Sequence, residues 1–219
     1  MIRLKITYLI MFLWAGCITS TAQKGTDFTE EVDSITQRYK HLRNKNQKTV
    51  VFTGSSSIRL WEGLEEYFPG HQIINTGFGG SEAADLLEFI NPLILDYNPA
   101  KVFIYEGDND ISYRRSPARV LRTTKKILHR IWTEFPNADI VLIAAKPSPD
   151  RWHLKRRYLR LNRKFQKYAN KASRVAYANV WDVMIREEEV DDSLFVEDGL
   201  HMNEKGYSLW YEVLKSHLN

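Results

Sequence analysis

Short apolar runs bounded by glycine or proline recur along the chain. They cover residues 49–53, 72–76, 101–105, 139–145 and 175–181. Each run is rich in Val, Ile, Phe or Tyr, which is typical of strands that are buried on both faces. The pattern therefore predicts five buried strands.

Helical patterns separate these runs. Ser116 followed by Pro117 is typical of an N-cap with proline at the first helical position, and Asn203 can cap a last helix. A further apolar stripe with helical spacing begins at Leu154. Strands that alternate with helices form βαβ units, so the fold class predicted is α/β, with a parallel sheet covered on both sides.

The size of the chain fits one domain. It has 219 residues, of which 43% are hydrophobic, so it can bury one substantial core. No repeat and no linker rich in Pro, Gly or Ser divides it. We therefore expect a single domain over residues 23–219.

The first 22 residues have the pattern of an export signal. A short basic start precedes an apolar run over residues 6–14, and small residues follow up to Ala22. The run is too short to span a bilayer comfortably. Cleavage after Ala22 would give a periplasmic or secreted protein without a transmembrane span. The sequence Ala15-Gly16-Cys17 leaves a second route open, a lipid anchor at Cys17 that holds the protein at the envelope.

Charge argues against a general nucleic-acid binder. The formal net charge is +4, and Arg3 and Lys5 of the predicted signal contribute half of it. A basic run covers residues 155–167, and an apolar stripe passes through it. We interpret this run as the solvated face of a packed helix, with contact to an anionic envelope lipid or polysaccharide as the alternative.

Candidate catalytic residues follow the predicted strands. Ligands bind outside the carboxyl ends of the strands in parallel sheets, and Ser56 stands there, at a strand-to-helix junction after the first strand. A serine nucleophile needs a base that a third group orients. Of the six histidines, His201 differs because Asp198, across a turn that contains a glycine, can accept its Nδ1 proton.

Two further residues could stabilise the charge that develops on oxygen during acyl transfer. Gly80 could offer a backbone N–H that no side chain blocks, and Asn109 could offer its amide. By itself, each feature is more typical of a structural role. A glycine-rich loop is most often a turn, and an Asn in such a stretch most often forms hydrogen bonds with the local backbone.

Together, four sequence blocks resemble the SGNH (GDSL-type) hydrolase family. They are Gly54-Ser55-Ser56, Gly80 after Asn75, Gly107-Asp108-Asn109-Asp110, and Asp198-Gly199-Leu200-His201, in the family's order. Ser55 and Ser57 stand where the family has Asp and an aliphatic residue, a variant similar to platelet-activating-factor acetylhydrolases. Alignment on Gly54 selects Ser56, rather than its serine neighbours, as the nucleophile.

The resemblance implies a flavodoxin-like, three-layer αβα sandwich with a parallel sheet of about five strands. It also implies catalysis without a metal or an organic cofactor. In this chain Ser56, His201 and Asp198 would form the triad. The backbone N–H groups of Ser56 and Gly80 and the side chain of Asn109 would form the oxyanion hole.

The substrate is inferred from residues near the predicted strand ends. They combine aromatic rings with cationic groups: Trp61, Tyr113, Arg114, Lys146 and Trp152. Such a set suits a polar or sugar-like acyl carrier, and the lack of a long lid insertion favours a short acyl group. We expect an exported serine esterase that cleaves an acetyl-type ester of a small molecule or glycan. An exported, non-catalytic glycan-binding protein on the same fold and an O-acyltransferase are the alternatives.

Overall fold

Five parallel strands form the centre of the protein. The computed structural model describes residues 27–43 and 47–218, so the predicted signal over residues 1–22, including Cys17, lies outside the described residues. The strands are β1 (Thr49–Gly54), β2 (Ile73–Gly77), β3 (Pro99–Tyr105), β4 (Asp139–Ile143) and β5 (Val175–Ala178). Their order in the sheet is β2-β1-β3-β4-β5. All five predicted strands are confirmed, although the last two end earlier than the apolar runs that predicted them.

Helices cover both faces of this sheet. They are α1 (Thr29–Arg38), α2 (Ser56–Arg59), α3 (Leu64–Tyr67), α4 (Ala83–Glu88), α5 (Ile90–Leu93), α6 (Asp108–Ser112), α7 (Pro117–Glu134), α8 (Lys155–Ala169) and α9 (Glu204–Leu214). A short antiparallel pair, β6 (Ile185–Arg186) and β7 (Glu189–Val190), precedes α9. None of the helices in the described residues is long and apolar enough to cross a bilayer.

The order of the strands assigns the helices to two layers. The chain moves one way along the sheet from β1 to β2 and the other way from β2 to β3, β4 and β5. Because crossovers between parallel strands are right-handed, α4, α5, α7 and α8 cover one face, and α2 and α3 cover the other. Trp61, between α2 and α3, packs against Trp210 of α9, with ring centroids 6.1 Å apart. The predicted α/β class and three-layer sandwich are thus confirmed.

The helix starts predicted from capping residues are observed. The Ser116 side chain accepts a hydrogen bond from the backbone N–H of Arg119, and Pro117 is the first residue of α7. The Asn203 side chain accepts hydrogen bonds from the backbone N–H groups of Lys205 and Gly206, at the start of α9. These caps satisfy backbone donors that the first helical turn leaves without partners.

Close approach of two strand ends requires glycine at position 54. Gly54 has φ +131°, and a Cβ atom there would lie 2.0 Å from the carbonyl oxygen of Tyr105 at the end of β3. The contact involves backbone on both sides and cannot be relieved by moving a side chain. The close approach of β1 and β3 at Gly54 places Ser55 at the carboxyl edge of the sheet, where the Ser55 N–H donates to the Tyr105 carbonyl at 3.2 Å.

We therefore expect Gly54→Ala to lower the free energy of unfolding by about 3 to 5 kcal/mol, because it adds a backbone clash to an unfavourable φ. Gly70→Ala is the matched control: Gly70 has φ +86° but open space where its Cβ would lie, so only the conformational cost of about 1 to 2 kcal/mol applies. Urea unfolding measures both values. Equal losses in the two variants would contradict the proposed steric role of Gly54.

Candidate active site

Ser56 lies at the carboxyl edge of the sheet, as the first residue of α2. Its Oγ lies 3.0 Å from Nε2 of His201, which is 145 residues away in the sequence. The neighbouring serines, Ser55 and Ser57, are each 2% exposed, whereas Ser56 is partly exposed. Of the three consecutive serines, Ser56 is therefore the one whose hydroxyl meets both a base and solvent.

The turn that contains Gly199 aligns Asp198 with His201. Nδ1 of His201 lies 2.6 Å from Oδ2 of Asp198. The other carboxylate oxygen accepts hydrogen bonds from the backbone N–H groups of Leu200 at 2.8 Å and His201 at 2.9 Å. Partial burial raises the pKa of Asp198, but these hydrogen bonds outweigh it and lower the pKa to about 2. The ionised carboxylate favours a proton on Nδ1, which leaves Nε2 free to accept a proton from Ser56.

Backbone donors near Ser56 are available to a ligand. The N–H groups of Ser56 and Gly80 make no hydrogen bond to any part of the chain that the structure describes. Gly80 is exposed and has φ +75°, and no atom lies within 4 Å of the place where a Cβ would be. Both groups can therefore donate to an oxygen at this edge of the sheet.

Asn109 is held at both ends of its amide. Its Nδ2 donates to the carbonyl oxygen of Ser81 at 2.9 Å, and its Oδ1 accepts from Nη1 of Arg151 at 3.1 Å. The residue is 6% exposed. An amide nitrogen carries two hydrogens, so Nδ2 keeps one for another acceptor. The Arg151 contact fixes which end of the amide carries that donor.

A buried cluster of charged residues around Asp108 lies next to Asn109 and contacts it through Arg151. The carboxylate of Asp108 accepts from Tyr105 OH at 2.8 Å and Tyr158 OH at 2.7 Å, and it pairs with Lys146 Nζ at 3.4 Å and with Arg151. Burial alone would raise the pKa of Asp108, but the charges of Lys146 and Arg151 hold it well below its usual value. Arg151 and Tyr158 are not among the site residues predicted from the sequence. Only the position of Arg151 in the loop after β4 could have indicated it.

The five residues predicted to contact substrate have separate environments. Trp61 is 2% exposed and packs against Tyr207 and Trp210, and the Lys146 side chain is fully buried beside Asp108. These positions correct the expectation for Trp61 and Lys146, because a side chain enclosed by the core cannot contact a substrate from solvent.

The other three predicted substrate residues are more accessible. Tyr113 is 57% exposed, and Arg114 is exposed beside it with φ +63°. Trp152 is half-buried: its ring stacks on Trp181 with centroids 6.1 Å apart, and Nζ of Lys155 lies 4.1 Å from the ring centroid. These three residues remain candidates for substrate contact.

Two more carboxyl groups are buried near the Asn109 loop. Glu106 accepts a hydrogen bond from the Ser81 hydroxyl at 2.8 Å, and burial raises its pKa well above the usual value. Asp110 accepts from the backbone N–H of Ala83 at 3.0 Å, and burial raises its pKa to about 6. In the described residues, no group of three or more His, Cys, Asp or Glu side chains is arranged to hold a metal ion.

The raised pKa of Asp110 predicts a pH dependence of stability. The folded protein binds this proton more tightly than the unfolded chain does. The contribution of Asp110 to the free energy of unfolding is therefore most favourable below the usual aspartate pKa. This contribution falls by up to about 3 kcal/mol as the pH rises through about 6. We expect Asp110→Asn to remove this fall between pH 4 and 7. Chemical unfolding at several pH values measures it, with Asp33→Asn as the exposed control. An unchanged slope in Asp110→Asn would contradict the assignment.

Comparison with known proteins is consistent with this architecture. A serine, histidine and aspartate joined at the edge of a three-layer αβα sandwich are typical of ester hydrolases. The family model of the GDSL-like lipase/acylhydrolase family matches residues 33–209. The chain belongs to this family, which confirms the SGNH (GDSL-type) resemblance, and it is a carboxylic ester hydrolase. Among curated proteins, no sequence matches it.

Solved structures share the fold at low sequence identity. A provisionally assigned platelet activating factor from Streptococcus pneumonia is 21% identical, with a TM-score of 0.76 over 88% of this chain and 94% of that one. A GDSL-like lipase from Bacteroides thetaiotaomicron is also 21% identical, with a TM-score of 0.70 over 83% of this chain and 96% of that one. A family 3 carbohydrate esterase from Talaromyces cellulolyticus is 15% identical, with a TM-score of 0.63 over 78% of this chain and 96% of that one.

Proposed function

We propose that this protein is an exported serine esterase that removes a short acyl group, of the acetyl type, from a carbohydrate or lipid-derived ester. The observation that carries the proposal is the continuous hydrogen-bonded series from Ser56 through His201 to Asp198. Export rests on the pattern of residues 1–22.

The first half of the reaction acylates Ser56. Its Oγ attacks the ester carbonyl carbon as Nε2 of His201, 3.0 Å away, takes the hydroxyl proton. The Asp198 carboxylate stabilises the imidazolium that forms. The carbonyl oxygen becomes an oxyanion, and it accepts hydrogen bonds from the N–H groups of Ser56 and Gly80 and from Nδ2 of Asn109. Collapse of this intermediate breaks the ester bond, and the imidazolium protonates the leaving alcohol.

The second half returns the enzyme to its starting state. His201 takes a proton from water as the water oxygen attacks the acyl carbon. The oxyanion forms again at the same three donors. Collapse breaks the bond to Ser56 Oγ, which regains a proton from His201, and the carboxylic acid leaves. Arg151 contributes by holding Oδ1 of Asn109, which keeps the free Nδ2 hydrogen available to the oxyanion.

The surroundings of the site support a small acyl group on a polar carrier. Gly80 is open to solvent, and Tyr113 and Arg114, which directly follow the helix α6 that carries Asn109, present an exposed ring next to a cation. Aromatic faces and charged donors are suited to sugar rings and their hydroxyl groups. Family 3 carbohydrate esterases from Talaromyces cellulolyticus and Clostridium thermocellum share the fold, which is consistent with this choice.

A fluorophosphonate probe tests the proposal directly. We expect covalent labelling at Ser56, loss of labelling in Ser56→Ala, and retention in the matched variant Ser55→Ala. A series of p-nitrophenyl esters should show the highest kcat/KM for acetate. A folded protein that takes no label would indicate the glycan-binding alternative, and a preference for long acyl chains would overturn the acetyl assignment. Transfer of the acetyl group to an added sugar alcohol, in preference to water, would indicate an acyltransferase.

A further inference from the structure

The positive charge of the protein is concentrated on two helices, α7 and α8. The sequence contains no Asp or Glu over residues 111–133 or over residues 151–181. The two helices pack against each other on one face of the sheet. We call their outer surface the basic face. Its exposed cations are Arg119, Arg122, Lys125, Lys126, Arg130, Arg156, Arg160, Arg163, Lys164 and Lys167.

These cations lack carboxylate partners, although neighbouring ones have them. Arg115 pairs with Glu82 and Arg174 pairs with Asp139, just outside the two helices. No salt bridge within the described residues involves a cation of α7 or α8. Like charges four residues apart, such as Arg160 and Lys164, destabilise a helix by a few tenths of a kcal/mol. The like charges of the basic face therefore repel one another, and its cations form no ion pair within the described residues.

Two shallow grooves follow this face. One, of about 440 Å³, lies between the start of α7 at residues 116–118 and the α8 residues Arg160, Arg163, Lys164 and Lys167. The other, of about 590 Å³, is lined by Leu87 of α4 and by the α7 residues Arg122, Lys125, Lys126, His129 and Arg130. Both place several cations around a concave surface, which suits an extended anionic chain.

The geometry points to an acidic polysaccharide as the partner of the basic face. Guanidinium groups bind carboxylate and sulfate groups in a bidentate manner, and six of the ten exposed cations of the basic face are arginines. Attachment to a lipid surface fits less well. The large hydrophobic residues that are exposed in the described chain, Leu60, Tyr113, Val183 and Val196, lie outside α7 and α8, so these helices have no side chain to insert among acyl chains.

A nucleic acid also fits less well than a polysaccharide. Single strands bind on exposed aromatic rings, and α7 and α8 expose none: Trp132 is half-buried, and Tyr168 lies under Lys125. Double-stranded DNA accepts a protruding helix in its major groove, whereas these two helices lie side by side on a sheet. The inference does not depend on the proposed esterase activity, because it concerns residues outside the candidate active site.

Binding of the full chain to two labelled polymers, heparin and polygalacturonate, tests this inference. Fluorescence anisotropy at increasing NaCl concentration should show affinity that falls linearly on a log–log plot, as counterion release requires. The quadruple variant Arg160→Gln, Arg163→Gln, Lys164→Gln, Lys167→Gln should bind about 10- to 100-fold more weakly. The matched control removes four exposed lysines outside α7 and α8: Lys40→Gln, Lys48→Gln, Lys205→Gln, Lys215→Gln. It should bind as the unmodified protein does.

Three outcomes would overturn the inference. They are no binding of either polymer at 50 mM NaCl, equal weakening in both quadruple variants, or tighter binding to phosphatidylglycerol vesicles or to a DNA duplex. Thermal unfolding checks that each variant is folded, and hydrolysis of a small acetyl ester is a second check for the two quadruple variants. Ser56→Ala should bind both polymers normally, so failure of the esterase proposal and failure of this one give different results.

Discussion

Replacing His201 with alanine is expected to lower kcat for a small acetyl ester by about 10⁴- to 10⁶-fold, with KM changed little. Without the imidazole, no group of the described residues 27–43 and 47–218 is left within hydrogen-bond distance of Ser56 Oγ to take its proton, and a hydroxyl is a poor nucleophile at its own pKa. Steady-state kinetics measures the loss. His153→Ala is the matched control, because His153 is exposed in the loop after β4 and should retain full activity.

The double variant provides a sharper test of cooperation between the two residues. If Ser56 and His201 act as one unit, Ser56→Ala combined with His201→Ala should be no less active than either single variant. Losses that multiply, or a His201→Ala enzyme that keeps more than about a tenth of its activity, would show that the hydrogen bond between them is not used in catalysis.

Replacing Asp108 with asparagine is expected to lower the free energy of unfolding by about 3 to 5 kcal/mol. The side chain of Lys146 is fully buried. Without the Asp108 carboxylate, Lys146 would either stay charged with no counterion beside it or release its proton and become neutral, and both outcomes destabilise the folded state. Folding lowers the pKa of Asp108. The contribution of Asp108 to the free energy of unfolding is therefore present above the usual aspartate pKa, and it is lost as the pH falls from that value through the lower pKa of the folded state. The difference between the two proteins should therefore shrink in acid.

A second substitution separates charge from packing. Lys146→Met in the Asp108→Asn background removes the unpaired cation and should recover at least about 1 kcal/mol, as measured by urea unfolding. If Asp108→Asn costs less than about 1 kcal/mol, or if Lys146→Met makes it worse, the cluster is not held together by charge in the way described.

The strands and three of the helices could be predicted from local features, and the candidate triad could be predicted once the family resemblance was added to them. Continuous apolar runs indicate strands buried on both faces, and Ser116 and Asn203 are caps whose effect does not depend on distant residues. Ser56 could be placed at the carboxyl edge because it follows the first strand, whereas His201 follows no strand of the sheet and was paired with Ser56 through the family resemblance. The Asp198–His201 pair lies within a single turn, so spacing alone was informative.

The direction in which a side chain points could not be predicted in this way. Trp61 follows a strand end, but its ring packs against α9, which is about 150 residues further along the chain. Lys146 also follows a strand, and the buried carboxylate of Asp108 draws it inward. Arg151 was overlooked for the same reason, since its contact with Asn109 exists only once the loops after β3 and β4 meet.

The separation of Ser56 and His201 by 145 residues has a consequence for biosynthesis. The Ser56 hydroxyl emerges early from the ribosome, whereas its proposed proton acceptor, His201, is translated much later. Tyr207 of α9 then donates to the Ser57 carbonyl at 3.1 Å and fastens the late segment to the early one. In the proposed mechanism, a nascent or truncated chain that stops before residue 198 therefore lacks the base for Ser56, and hydrolysis begins only when the late segment docks.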